Sequence, residues 1–191
     1  SLGEEALKLM VGRVVITTGG TGGRRFAKLT RLILPIQTFI AVTDPMPDIL
    51  AHQIPTGCAI ADTRRAGNYF RKLPDGRLLW GMGISALSAP SQHKIYDMAT
   101  KDIAAHLPEL AKDMQSANIN LAYAWSGTMG YARHFMPYVG QIAPNRFCVA
   151  GFGGHGMNTA PIAGKIIAEA LSGANDRLEP FGSIPRQATF G

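Results

Sequence analysis

One stretch constrains this chain more than any other: Phe147-Cys148-Val149-Ala150-Gly151-Phe152-Gly153-Gly154-His155-Gly156-Met157-Asn158-Thr159-Ala160-Pro161-Ile162-Ala163-Gly164. Phe147 to Ala150 is a continuous apolar run, the pattern of a short strand buried on both faces. Glycines at 151, 153, 154 and 156 then turn the chain and let backbone amides come close to a ligand. Pro161 suits the first turn of a helix, and the spacing predicts one over 161–171, with Ile162, Ile166, Ile167 and Leu171 on its apolar positions. Gly173 is placed to end it, and Asn158 or Thr159 to cap it. A helix N-terminus carries unpaired N–H donors and roughly half a positive charge. Strand, turn and helix together make a seat for a phosphate or another anionic atom. A tight turn with no ligand satisfies the same spacing.

Composition narrows what surrounds this motif. Hydrophobic residues are 46% of the 191 and charged residues 17%, which supplies a core and excludes a chain disordered throughout. No apolar run approaches the roughly 20 residues of a membrane helix. Residues 1–20 lack the pattern of a secretory signal. Lys and Arg number 19 against 13 acids, a formal net charge of +6. That balance favours anionic partners, and part of it is local: Arg24, Arg25, Lys28 and Arg31, with Arg13 nearby. The run reads either as a solvated face or as an anion-binding one. No nucleic-acid module accompanies it, so nucleic acid is not an expected partner. Cys58 and Cys148 are far apart and form no CxxC, so both read as small core residues of a protein in a reducing cytoplasm. The five histidines have no metal-ligand spacing, and no G-x-S-x-G elbow is present.

Along the rest of the chain, Leu2 to Met10 reads as the end of a helix and Val14 to Ile16 as a buried strand. The turn Gly19–Gly23 follows. Ile36 to Val42 is a second strand, bounded by Pro35 and by Asp44-Pro45-Met46-Pro47, and residues 58–62 form a weaker one. Asn68–Lys72 and Arg77–Trp80 flank Pro74-Asp75-Gly76, the chemistry of a hairpin turn. Ser91 to Met114 has helical spacing that Pro108 splits or kinks. Asn120 to Trp125 is extended, and the tail from Asn175 reads as an extended surface segment. The order predicts an α/β protein. Its middle is a mainly antiparallel sheet inserted between two pieces of another domain.

With these segments in hand, the chain resembles a known superfamily. Gly151-Phe152-Gly153-Gly154-His155-Gly156-Met157, with Pro161 and Gly164, is similar to the C-terminal flavin-contacting motif of FAD-dependent amine and amino-acid oxidoreductases. These are the enzymes of the D-amino-acid oxidase, glycine oxidase and sarcosine oxidase type. Further matches follow in the expected order. They are Val14–Gly20, Leu34–Gln37 with Ala41–Pro45, Tyr69–Arg71 with Asp75–Gly81, Trp125–Gly127, and Met136–Gly140. The set spans about residues 11–173 and looks nearest to the gamma-glutamylputrescine oxidase branch. The family's opening GxGxxG fingerprint is missing, and Gly20-Thr21-Gly22-Gly23 does not replace it.

The resemblance implies the C-terminal half of such an enzyme. Residues 1–24 and 141–191 would be part of a Rossmann-like FAD domain, holding its last strand and helix, and 25–140 an α+β substrate domain. It implies oxidation of a CH–NH bond to an imine, with FAD as cofactor and a small amine or amino acid as substrate. Cofactor contacts fall on Gly151, Gly153, Gly154, His155, Gly156, Met157 and Thr159. His155 is also the catalytic candidate. Tyr69, Arg71 and Asn158 are the substrate-binding candidates. Asn158 stands where the sarcosine-oxidase branch has a lysine for the substrate carboxylate, and asparagine makes no ion pair. A longer amine thus fits better than a simple α-amino acid. This piece alone is expected to be inactive and to hold FAD weakly. Its expected partner is the missing N-terminal half or a second copy of the chain. The competing expectation is a non-catalytic binding module or subunit that needs a partner chain.

Overall fold

The computed structural model describes residues 10–21, 26, 29, 31–64, 66–86, 88–186 and 188. The helix read over Leu2–Met10 lies outside them except for Met10, as do Arg24, Arg25 and Lys28. The chain divides into two compact units, one of Ser1–Pro35 with Met129–Gly191 and one of Ile36–Thr128. The sequence reading sets the breaks after residue 24 and before residue 141.

The first unit is built on a three-stranded sheet in the order β1-β8-β7. Strand β1 is Val14–Ile16, β7 is Tyr138–Ala143 and β8 is Arg146–Ala150. β1 runs parallel to β8, pairing Val15 with Phe147, and β7 runs antiparallel to it, pairing Val139 with Val149. The apolar run of β8 is explained by its two neighbours. Cys148 and Ala150 pack with Ile16, Leu29, Ile33, Ala132 and Tyr138 on one face. Phe147 and Val149 pack with Val139, Ala163, Ile166 and Ile167 on the other. β1 departs from its reading as a buried strand. Val14 and Val15 are exposed, and only Ile16 is buried, because β1 is the sheet's edge and no described residue covers its outer side.

The C-terminal tail also differs from its extended reading. It forms a short helix, α5, over Glu179–Gly182, and Leu178 and Phe181 pack against the second of these clusters. Apolar side chains spaced three apart turned a Pro- and Gly-containing tail into a docked turn.

The second unit carries a five-stranded sheet, β3-β4-β5-β2-β6. Its strands are β2 (Ile33–Thr43), β3 (Ile60–Ala61), β4 (Tyr69–Lys72), β5 (Leu78–Ser85) and β6 (Leu121–Ala132). The pairings β2–β5, β3–β4 and β4–β5 are antiparallel. β2 and β6 run further than the stretches read from the sequence, Ile36–Val42 and Asn120–Trp125. Three helices cover one face: α1 (Pro47–Gln53), α2 (Gln92–His106) and α3 (Pro108–Ser116). Ser91 caps α2 by accepting from the Lys94 amide at 3.3 Å, and Pro108 opens α3 at a position where its missing N–H costs nothing. α1 is absent from the sequence reading, which takes Pro45-Met46-Pro47 as a boundary. A proline at the first helical position starts a helix as readily as it ends a strand.

The core of this unit centres on Trp80, which is fully buried. Its ring stacks on Phe70 at 4.7 Å, and its Nε1–H donates to Asp102 Oδ2 at 2.8 Å. Around it pack Phe39, Leu50, Leu78, Ile95, Ile103 and Leu110.

The two cysteines part company. Cys148 is buried in β8, but Cys58 is exposed and not a core residue, since it sits in the loop before β3. Burial pushes the Cys148 thiol from 9.0 up to about 11. The folded chain thus keeps a proton that the unfolded chain releases. The stability this confers is intact below about pH 9 and is lost as pH rises towards about 11. Iodoacetamide at pH 8 is expected to label one thiol per folded chain, at Cys58, and two in urea; mass spectrometry counts them. Two labels without denaturant would contradict the burial of Cys148.

Candidate functional site

The glycine motif lies wholly in the first unit. β8 ends at Ala150, and Gly151 follows in the left-handed region at φ +80. A Cβ there would lie 3.0 Å from Ile33 Cδ1 and 3.3 Å from Ala132 Cβ, so only glycine fits. Gly153, at φ +59, opens a one-turn 3-10 helix over Gly153–His155. That turn runs directly into helix α4, Gly156–Leu171.

α4 starts five residues before the position predicted from Pro161, which now lies inside the helix. As the sixth residue of the helix, Pro161 has no N–H to give the Met157 carbonyl, so one i→i−4 bond of α4 is missing there. This moves the expected caps. Asn158 and Thr159 are helical residues, and the Thr159 hydroxyl donates back to the His155 carbonyl at 2.8 Å. No side chain caps the N-terminus of α4. Its first amides, and the positive end of the helix dipole, are left for another acceptor.

The surroundings of the turn are open. His155, Met157, Asn158 and Thr159 are exposed, Met157 by 93%, and so are Pro161 and Ile162. Only from Ala163 onward does α4 bury a face, through Ala163, Ile166 and Ile167. An apolar helix start exposed on every side is unusual for a finished surface. Beside it lies a groove of about 500 Å³ lined by Val15, Thr17, Gly19, Val149, Phe152 and Gly164, among others.

Glycines distant in sequence meet here. A Cβ on Gly130 of β6 would lie 3.0 Å from the Gly20 amide nitrogen and 3.2 Å from the Gly19 carbonyl carbon. The Gly19–Gly20 turn after β1 therefore sits directly on β6. One residue on, Tyr131 forms an isolated antiparallel bridge with Phe152 and places its ring against Gly153. Gly151, Gly153, Gly154, His155, Gly156, Met157, Asn158 and Thr159 are thus grouped on one side of the first unit.

Tyr69 and Arg71 are in the second unit, on β4. Both point to the sheet face opposite the core, since Phe70 between them stacks on Trp80. The Tyr69 ring lies across Gly81, where a Cβ would come within 2.1 Å of it. Alternation along β6 puts Tyr123 and Trp125 on that open face too, because Ala124 belongs to the core. Tyr69, Tyr123 and Trp125 are exposed by 38%, 56% and 44%. The Arg77 guanidinium lies over the Tyr123 ring, 5.4 Å from its centroid. Arg71 makes no ion pair with a described residue. Tyr123 and Trp125, which share this open face, are not among the candidates read from the sequence. Period-2 alternation over Ala122–Gly127 was the signal that places them beside Tyr69.

Among the described residues, no group of three or more His, Cys, Asp or Glu side chains is placed to hold a metal ion. None of their helices is long and apolar enough to cross a membrane.

The family model of FAD dependent oxidoreductases (DAO) matches residues 3–170. The chain belongs to this family. It is 27% identical over 182 residues to the gamma-glutamylputrescine oxidoreductase of Escherichia coli, covering 92% of this chain and 40% of that one. Among solved structures it is similar to glycine oxidase from Geobacillus kaustophilus, with a TM-score of 0.68 at 19% identity, covering 92% of this chain and 45% of that one. It is also similar to fructosyl peptide oxidase from E. terrenum, with a TM-score of 0.71 at 14% identity, covering 96% and 47%. These structures share the mixed α/β fold. The chain spans between 36% and 40% of the length of the curated relatives it matches.

Proposed function

We propose that this chain is the C-terminal part of a flavoenzyme that oxidises a CH–NH bond of an amine or amino acid to an imine. The observation that carries the reading is the Gly151–Gly156 turn delivering an uncapped helix, in a chain of the FAD-dependent oxidoreductase family. The residues present fit a flavin ring. Gly151 and Gly153 let the turn pack against Ile33, Ala132 and Tyr131, and exposed Gly154 leaves the backbone without a side chain on the outer side. FAD, when bound, supplies the acceptor for the hydride that leaves the substrate carbon.

The chain's own residues would act as follows. Backbone amides of Gly153, Gly154 and the first turn of α4 would offer donors to a ligand edge that carries negative charge, while the His155 amide is already given to the Phe152 carbonyl at 3.2 Å. The α4 dipole adds roughly 0.3–1 kcal/mol in favour of that charge. His155 is exposed and its ring makes no hydrogen bond with a described residue, so this side chain would contact cofactor or substrate. Asn158, two residues into α4, offers an amide to a polar group but no ion pair. In the second unit, Arg71 with Tyr69 would receive an acidic group of a longer amine. The remaining phosphate and ribose contacts would come from segments corresponding to the rest of the relatives, on the same polypeptide or another.

FAD titration followed by flavin fluorescence and visible absorbance tests this. The 191-residue chain alone is expected to show no saturation at tens of micromolar FAD. The protein expressed from its complete gene is expected to bind with a shifted flavin spectrum and to bleach when an amine substrate is added without oxygen. A complete protein that takes up no flavin would overturn the reading and favour a non-catalytic module.

A further inference from the structure

Tyr131 is not part of the glycine motif, yet it lies against two of its glycines. An ideal Cβ on Gly153 would lie 2.7 Å from Tyr131 Cε1 and 3.1 Å from Cδ1 and Cζ. The ring therefore rests directly on the Gly153 α-carbon. The nearest atoms to a Cβ on Gly154 are the Tyr131 hydroxyl at 3.6 Å and the Met129 sulfur at 3.7 Å. The Tyr131 backbone is tied to the same turn by its bridge to Phe152.

A second ring holds the first. Phe135 meets Tyr131 edge to face, with centroids 6.4 Å apart and planes at 78°. Phe135 sits at φ +61, in the turn between β6 and β7, and is 74% exposed. A bulky residue in the left-handed region is a conformational outlier that the surroundings must enforce. Here the turn is closed by the Phe135 amide donating to the Ala132 carbonyl at 2.9 Å. The Tyr131 hydroxyl makes no hydrogen bond with a described residue, so the contact is one of ring shape rather than polarity.

We infer that Tyr131 is a positioning residue for the cofactor turn: its ring, braced by Phe135, holds Gly153 and Gly154 in the conformation that presents the N-terminal amides of α4. The inference rests on the flavin reading above. It assigns the work to the ring and none to the hydroxyl.

The test uses the protein expressed from its complete gene and reads the FAD dissociation constant and the visible spectrum of the bound flavin. Tyr131→Phe is expected to match the unaltered protein in both. Tyr131→Ala is expected to weaken FAD binding at least tenfold and to change the flavin absorption envelope. Phe135→Ala is expected to fall between them. If Tyr131→Ala does not fold, Tyr131→Leu replaces it, since leucine keeps an apolar side chain but not a flat ring. Unchanged affinity and spectrum in the ring-deleted variant would overturn the inference, and so would a loss in Tyr131→Phe as large as in Tyr131→Ala. An unaltered protein that binds no flavin would remove the cofactor reading itself, and this inference with it.

Discussion

Gly153→Val is expected to leave a folded protein whose FAD affinity is lowered at least about 30-fold. Two costs meet at this position. Valine is β-branched and disfavoured at φ +59, a strain of order 1–3 kcal/mol. Its Cβ would also start 2.7 Å from the Tyr131 ring, and relieving such overpacking costs typically 1–3 kcal/mol. About 1.4 kcal/mol is a tenfold change in binding. The turn is partly exposed and α4 is anchored from Ala163 onward, so the strain is relieved by moving the turn rather than by unfolding the unit. Gly57→Ala is the control, because a Cβ at Gly57 has no neighbour within 4 Å and the site lies in a surface loop. Titration of both variants with FAD, with circular dichroism as the check on folding, decides the matter. Equal affinity in Gly153→Val and the unaltered protein would mean that the turn does not touch the cofactor.

The largest stability effect is expected at Trp80. Trp80→Ala removes a fully buried ring stacked on Phe70 and leaves Asp102 Oδ2 without its indole donor. Large-to-alanine changes of this kind cost about 3–5 kcal/mol, and a stranded acceptor adds to that. Trp125→Ala, at a site 44% exposed on the open face of the same sheet, is expected to cost under about 1 kcal/mol. Urea unfolding followed by far-UV circular dichroism measures both. A loss at Trp80 no larger than at Trp125 would contradict the placement of the core of Ile36–Thr128.

Parts of this architecture were legible residue by residue. Pro74-Asp75-Gly76 marked the β4–β5 hairpin because turn chemistry is local. Pro108 divided α2 from α3 because a missing amide and a ring clash act within one turn. The β8 run announced burial on both faces, and both faces are covered. Other parts were not legible. The start of α4 moved from 161 to 156, since glycines with weak helix propensity were drawn into the helix by the strand-to-helix turn that precedes it. α1 formed where Pro45-Met46-Pro47 read as a boundary, and α5 in a tail read as extended, because Leu50, Leu178 and Phe181 had cores to enter. The exposed edge at Val14 and Val15 could not be told from a buried strand, as composition does not reveal which neighbour is present.

The sequence by itself determined the kind of protein this is. The glycine spacing from 151 to 156, the strand before it and the ordered segments from Val14 to Gly140 pointed to the FAD-dependent oxidoreductase family, which the match over residues 3–170 establishes. Short-range chemistry suffices there, because a tight turn limits which residues can occupy it. Only the tertiary structure decided what stands against that turn. Tyr131 reaches Gly153 across 22 positions of sequence, and Gly130 reaches the Gly19–Gly20 turn across more than a hundred. Tyr69, Tyr123 and Trp125 share an open face only because strand pairing set their register. Such contacts depend on how sheets and turns close in space, and no local propensity encodes them.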